Sequence, residues 1–162
     1  MRRCIALSLA ATVVAADLLS KAWAFAGLAP GEHRWIVGEF LALAHVWNRG
    51  VTGGLGKGLP PIVITLATAA AAVGIGVYLL RSKSLDRLVA TGLGLVLGGA
   101  IGNLYDRIVH GQVRDFIDVW PRLMKSGWLH HWPTFNVADA AIVAGVIGLV
   151  VHMLFFSKKP EG

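Results

Sequence analysis

Four stretches of this chain, Cys4 to Phe25, Ile62 to Leu80, Leu88 to Tyr105 and Ala138 to Phe156, are long and apolar enough to cross a bilayer, whose hydrocarbon core takes about 20 residues of helix. The last three hold no lysine or arginine. A backbone crossing hydrocarbon must satisfy its own hydrogen bonds, so runs of this length are read as helices. The fold class expected is an all-α membrane protein, a four transmembrane helix bundle with small extracytoplasmic loop elements on one side. Residues 1–162 are expected to form a single integral membrane domain, because four spans leave too little chain for a second one. The composition agrees: 56% of the residues are hydrophobic and 15% charged, and the mean hydropathy is +0.65, more apolar than a soluble core of this size needs.

The charges predict an orientation. Arg2 and Arg3, then Arg81, Lys83 and Arg87 in a short connection, then Lys158 and Lys159 crowd one set of helix ends. The connections Gly27 to Pro61 and Arg107 to Val137 are long and dilute their basic residues with Glu32, Glu39, Asp115 and Asp118. The positive-inside rule then puts both termini in the cytoplasm and the long connections outside. The net charge of +6 is scattered over helix ends rather than gathered on one face, which argues against a nucleic-acid partner. The first span follows two arginines as a signal peptide would, but Asp17, Ser20 and Lys21 occupy the region where cleavage would fall, so a retained helix is expected. The lone Cys4 has no partner for a disulfide and belongs to no metal-ligand spacing.

Gly92, Gly94, Gly98, Gly99 and Gly102 all fall in the third span, where small residues let helices approach closely. Polar groups in or beside the spans carry more information, since a charge near hydrocarbon persists mainly where it is paired, watered or used. Asp17 and Lys21 lie four apart on one helical face, the spacing of an ion pair. Asn103, Asp106 and Arg107 stand at the exit of the third span, where Arg107 either anchors at the headgroups or clamps a neighbouring carboxylate or carbonyl.

Asp115, just after the third span, and Asp139, at the start of the fourth, belong to the same membrane boundary. Two carboxylates brought close cannot both ionise comfortably and share a proton, leaving one acid and one base around a water. That is aspartic peptidase chemistry, and it calls for no metal or cofactor. Asp139, in a first helical turn, sits at the positive end of the helix dipole, which suits the base role. Ordinary helix capping is the competing reading of both residues. Asn48 and Asn136, expected on the same side, favour a site, although Asn48 and Gly50 also suit a turn.

Asp17-Leu18-Leu19-Ser20-Lys21, Asn48-Arg49-Gly50, Gly102-Asn103-Leu104-Tyr105-Asp106-Arg107, Val113-Arg114-Asp115-Phe116 and Phe135-Asn136-Val137-Ala138-Asp139 together resemble the five blocks of lipoprotein signal peptidase, or signal peptidase II. They come in the family's order and in its relation to four spans. The resemblance implies a bacterial inner-membrane aspartic endopeptidase that cleaves prolipoproteins before a diacylglyceryl-modified cysteine. It implies a catalytic pair in Asp115 and Asp139, substrate-binding residues in Asn48, Asn103, Arg107 and Asn136, and structural support from Asp17, Lys21, Gly102 and Asp106. The expected partners are lipid-modified prolipoproteins and membrane lipids, with the chain acting as a monomer.

Two segments depart from the family pattern. Val51-Thr52-Gly53-Gly54-Leu55 lacks the aromatic residue often found after the asparagine block. The stretch 118–132 is long and carries Trp120, Trp128 and Trp132, a composition suited to the membrane interface. The adjacent His130 and His131 lack helical ligand spacing. A small membrane transporter or proton-relay subunit is the alternative from another class, because intramembrane Asp and Lys also mark proton relays. A relay needs ionisable groups through the bilayer's depth, whereas the second span has none. A scaffold would explain the glycines but not the clustered carboxylates and amides.

Overall fold

The computed structural model describes residues 2–50, 59–119 and 133–156. Within them are four long helices, α1 (Arg2–Gly27), α2 (Pro61–Arg81), α3 (Arg87–His110) and α4 (Val137–Phe155), and three strands, β1 (His33–Val37), β2 (Leu41–Asn48) and β3 (Val113–Val119). All four helices are long and apolar enough to cross a membrane, as the apolar runs predict. The departures Val51–Leu55 and the tryptophan-bearing stretch from 120 lie outside the described residues, as do Lys158 and Lys159.

The third helix extends further than its apolar run. It continues past Tyr105 through Asp106 and Arg107 to His110, and Gly111 (φ 71°) ends it in the left-handed conformation that glycine adopts without strain. Asn103 and Arg107 are therefore one turn apart on a continuous helix, and Arg107 belongs to the helix rather than to the connection after it.

Helix α3 is the hub of the bundle, with 50% of its apolar stretch buried against 17% in α2 and in α4. Glycine makes this possible. A Cβ on Gly94 would stand 2.6 Å from the Ala6 carbonyl oxygen, and one on Gly98 2.7 Å from that of Ala10, so α1 lies directly on the α3 backbone. A second glycine face meets α4: a Cβ on Gly92 would stand 3.0 Å from the Gly145 carbonyl oxygen, and one on Gly145 2.6 Å from that of Gly92. Without a hydrophobic drive between helices in lipid, such backbone-to-backbone packing is what holds them.

The strands form one antiparallel sheet in the order β1-β2-β3 at the end of the bundle where α1 and α3 finish. β2 faces β3 with Val46 opposite Asp115 and Asn48 opposite Val113. Phe135 extends the sheet by a bridge to Ile117, its carbonyl accepting from the Ile117 amide at 2.8 Å. That bridge holds the entry to α4 beside β3. The sequence reading anticipated small loop elements at this end, and the sheet is their form.

Candidate active site

Alternation along β3 separates its polar residues. Arg114 points to one face and Asp115 to the other. Asn48 is the diagonal cross-strand neighbour of Asp115, within side-chain reach, and its amide donates to Asp115 Oδ2 at 2.8 Å. From the other side the Asn136 amide donates to Asp115 Oδ1 at 2.7 Å. Asp115 is thus held at both oxygens while only 1% exposed.

Asp139 is fixed by the start of its own helix. Asn136 caps α4 by accepting from the Asp139 amide at 2.9 Å, and Asp139 Oδ2 accepts in return from the Asn136 amide at 3.3 Å. This is a reciprocal capping box. Asn103 of α3 donates to Asp139 Oδ1 at 2.7 Å. One residue, Asn136, therefore touches both carboxylates, with its side chain on Asp115 and its backbone on Asp139.

The electrostatics follow from this closeness. Burial, and then the charge of Asp139, push the Asp115 carboxyl up to about 7, against the lowering effect of hydrogen bonds from Asn48 and Asn136. A carboxyl raised that far holds its proton into the neutral range, and it is electrostatically coupled to Asp139.

A buried ionic cluster supports the pair. Lys21, fully buried, donates to Asp17 Oδ2 at 2.7 Å and to Asn103 Oδ1 at 3.0 Å, and lies 3.3 Å from Asp106 Oδ2. Asp106 receives the Arg114 guanidinium at 2.7 Å and the Arg114 backbone amide at 2.9 Å. Two carboxylates and two cations balance, which a charge cluster in an apolar bundle requires. Asp17 also reaches across to accept from the Ala138 amide at 2.9 Å, capping α4 from α1. Gly102 makes room for it, because a Cβ there would stand 2.5 Å from Asp17 Oδ2. Among the described residues no buried side-chain nitrogen or oxygen lacks a partner.

The structure thus brings every sequence-selected site residue into one network: Asp115 and Asp139, Asn48, Asn103, Arg107 and Asn136, and Asp17, Lys21, Gly102 and Asp106. Arg107 is turned inward, donating to the Gly50 carbonyl at 3.1 Å and to the Asn103 carbonyl at 3.3 Å, within electrostatic reach of Asp139 and Asp115. It clamps rather than snorkels. Asn103 and Asn136 are buried, with their amide donors spent on protein oxygens. The sequence reading assigned no part to Arg114. The signal for it was its place next to Asp115 in a strand, which sends it to the opposite face, toward Asp106. Nor did it anticipate His33, whose Nδ1 lies 3.0 Å from the buried Asp118 across the sheet.

Beside Asp139 a groove of about 460 Å³ is lined by Val119, Phe135, Ala140, Val143, Ala144 and Ile147. Its walls are apolar, and it runs along one face of α4 from the carboxylate into the membrane-spanning part. Among the described residues no three His, Cys, Asp or Glu side chains are grouped to hold a metal ion.

Comparison with known proteins identifies the family and the fold. The family model for signal peptidase (SPase) II matches residues 9–155. The chain is similar to the lipoprotein signal peptidases of Rhodococcus jostii, 38% identical over 99% of this chain and 77% of that one, and Syntrophomonas wolfei, 42% identical over 92% of each. It is also 41% identical to that of Methylorubrum extorquens, over 91% of this chain and 84% of the relative. Its fold matches a bacterial membrane enzyme solved by the in meso method, with a TM-score of 0.80 at 23% identity, covering 98% of this chain and 93% of the other. With four membrane-spanning helices and a family match running from the first of them into the last, the chain belongs to the signal peptidase II family.

Proposed function

We propose that the protein is an aspartic endopeptidase of the bacterial inner membrane that removes the signal peptide from prolipoproteins, cutting before a diacylglyceryl-modified cysteine. The observation that carries this reading is the bridging of Asp115 and Asp139 by Asn136, with Asp115 raised to about 7. A proton shared in that way equips one carboxyl as acid and the other as base at neutral pH.

In this reading Asp139 takes a proton from water as the water oxygen bonds to the scissile carbonyl carbon. Asp115 gives its proton to the departing amide nitrogen as the C–N bond breaks. The signal peptide leaves with a new carboxyl group and the cysteine with a new amino group, and proton exchange within the pair restores the start. No metal takes part. Asn103 and Asn136, their donors engaged, serve to orient the carboxylates, while Asn48 and Arg107, partly exposed, face substrate. The apolar groove beside Asp139 suits a substrate that brings acyl chains and an apolar signal segment to the cut. The whole chain acts as one membrane domain and as a monomer, with both termini cytoplasmic and the carboxylates at the outer boundary, the side the positive-inside rule favours.

The test is incubation of purified protein with a diacylglyceryl-modified prolipoprotein and with its unmodified counterpart, followed by mass measurement of the products. Cleavage of the modified precursor alone, at the bond before cysteine, is expected. Equal cleavage of both, or cleavage elsewhere, refutes the substrate assignment.

A further inference from the structure

A second concave surface lies at the opposite end of the bundle, far from the carboxylates. It has a volume of about 460 Å³ and is lined by Arg2 and Arg3 from the first turn of α1 and by Ser82, Lys83, Ser84 and Leu85 between α2 and α3. The lining holds three cations and no acid. Asp86, next in sequence, caps α3 by accepting from the Leu88 amide at 2.7 Å; it is within electrostatic reach of Arg2 and offsets part of that charge, leaving Arg3 and Lys83 as the cradle's uncompensated cations.

The arginines are pre-oriented. Arg2 Nη1 donates to the Leu85 carbonyl at 2.5 Å, and Arg3 donates through Nε to the Ser82 carbonyl at 2.8 Å and through Nη2 to the same oxygen. Each guanidinium is held in place yet keeps further N–H donors, Nε and Nη2 on Arg2 and Nη1 on Arg3, a fork geometry matched to phosphate oxygens. Lys83 lies beside them in the same lining. Neither the positive end charge of a span nor the peptidase reading needs this arrangement.

We propose that this cradle binds the phosphodiester of an anionic phospholipid. Its place at the membrane end of the bundle selects a lipid over a free phosphate. Helices α1 and α2 each pack on α3 and scarcely touch one another, which leaves a seam below the cradle. Within two turns of it Ile5 and Leu7 on α1 and Tyr78 and Leu80 on α2 are exposed, so the cradle adjoins apolar helix surface along which acyl chains can lie. A zwitterionic head would bring its own cation against three.

Native mass spectrometry of the purified full-length protein, titrated with dioleoyl phosphatidylglycerol or dioleoyl phosphatidylcholine, tests this. Phosphatidylglycerol should bind about tenfold more tightly than phosphatidylcholine, and Lys83→Gln should weaken it about fivefold, the loss of one direct charge-assisted contact to the phosphate. Lys83 makes no hydrogen bond or ion pair with the described residues, so folding is spared. Arg81→Gln, which removes the same charge at the same end but outside the lining, should leave binding unchanged. Equal binding of the two lipids, equal loss in Arg81→Gln, or displacement of the lipid by millimolar inorganic phosphate would each overturn the proposal.

Discussion

Replacing Asp115 by asparagine should change how stability depends on pH. In the folded protein the Asp115 carboxyl is raised from 3.8 to about 7, so the folded state binds this proton more tightly than the unfolded state. By linkage, its contribution to stability is fully present below 3.8 and is lost as pH climbs through about 7. At about 1.4 kcal/mol per pH unit, the gap corresponds to roughly 4 kcal/mol over that window. The substituted amide cannot ionise, so it escapes this loss. It does put a nitrogen against the donors of Asn48 or Asn136, at a cost of about 1–3 kcal/mol that does not vary with pH. The variant should therefore be less stable than the parent near pH 4, overtake it between about pH 4.5 and pH 6 as the parent loses about 1–3 kcal/mol, and stop gaining above about pH 7. Equilibrium unfolding in detergent micelles, run on both proteins across this range, reads the difference directly. Parallel curves from pH 4 to pH 8 would refute the placement of Asp115 as a buried carboxyl pressed by its neighbour.

Other expectations follow from the same contacts. Lys21→Met strands the buried Asp17 and Asp106 and should cost about 3–5 kcal/mol in unfolding experiments, with a matching loss of peptidase activity through Asn103. Gly102→Ala forces its Cβ onto the Asp17 carboxylate and should destabilise by about 1–3 kcal/mol, measured as a lower thermal midpoint in micelles. Asn48→Ala removes a hydrogen bond that lowers the Asp115 pKa, so the alkaline limb of the kcat/KM profile should move to higher pH even as the rate falls. Treatment with a chelator should leave turnover unchanged, and loss restored by added metal would point to a different chemistry.

The helices were legible because hydrocarbon demands long apolar runs, and the glycines of α3 because lipid rewards close backbone approach. The end of α3 was not, since Asp106, Arg107 and His110 look like loop by polarity. Asp106 is buried and Arg107 turns inward to the site, and a polar face directed at other polar groups has no signature in a hydropathy scan. The sheet escaped for another reason. Its β2–β3 pairing joins Asn48 to Val113, a register that no local pattern announces, and only that register puts Asn48 on Asp115. The capping box of Asn136 and Asp139 was readable as an acceptor followed three residues on by a carboxylate. Its use to tie two carboxylates together depends on the Phe135 bridge to β3, which only the fold reveals. The Asp17 cap on Ala138 likewise joins groups 121 positions apart.

The central claim is that Asp115 and Asp139 act as one proton-sharing pair on a lipid-modified precursor. The most direct measurement follows product mass over time for Asp115→Asn, Asp139→Asn and the double variant, each first shown to be folded in micelles. The prediction is that either single change lowers cleavage by at least about a thousandfold and that the double variant is no worse than the singles, as for groups acting as a unit. A folded single variant that cleaves at the parent's rate would contradict it.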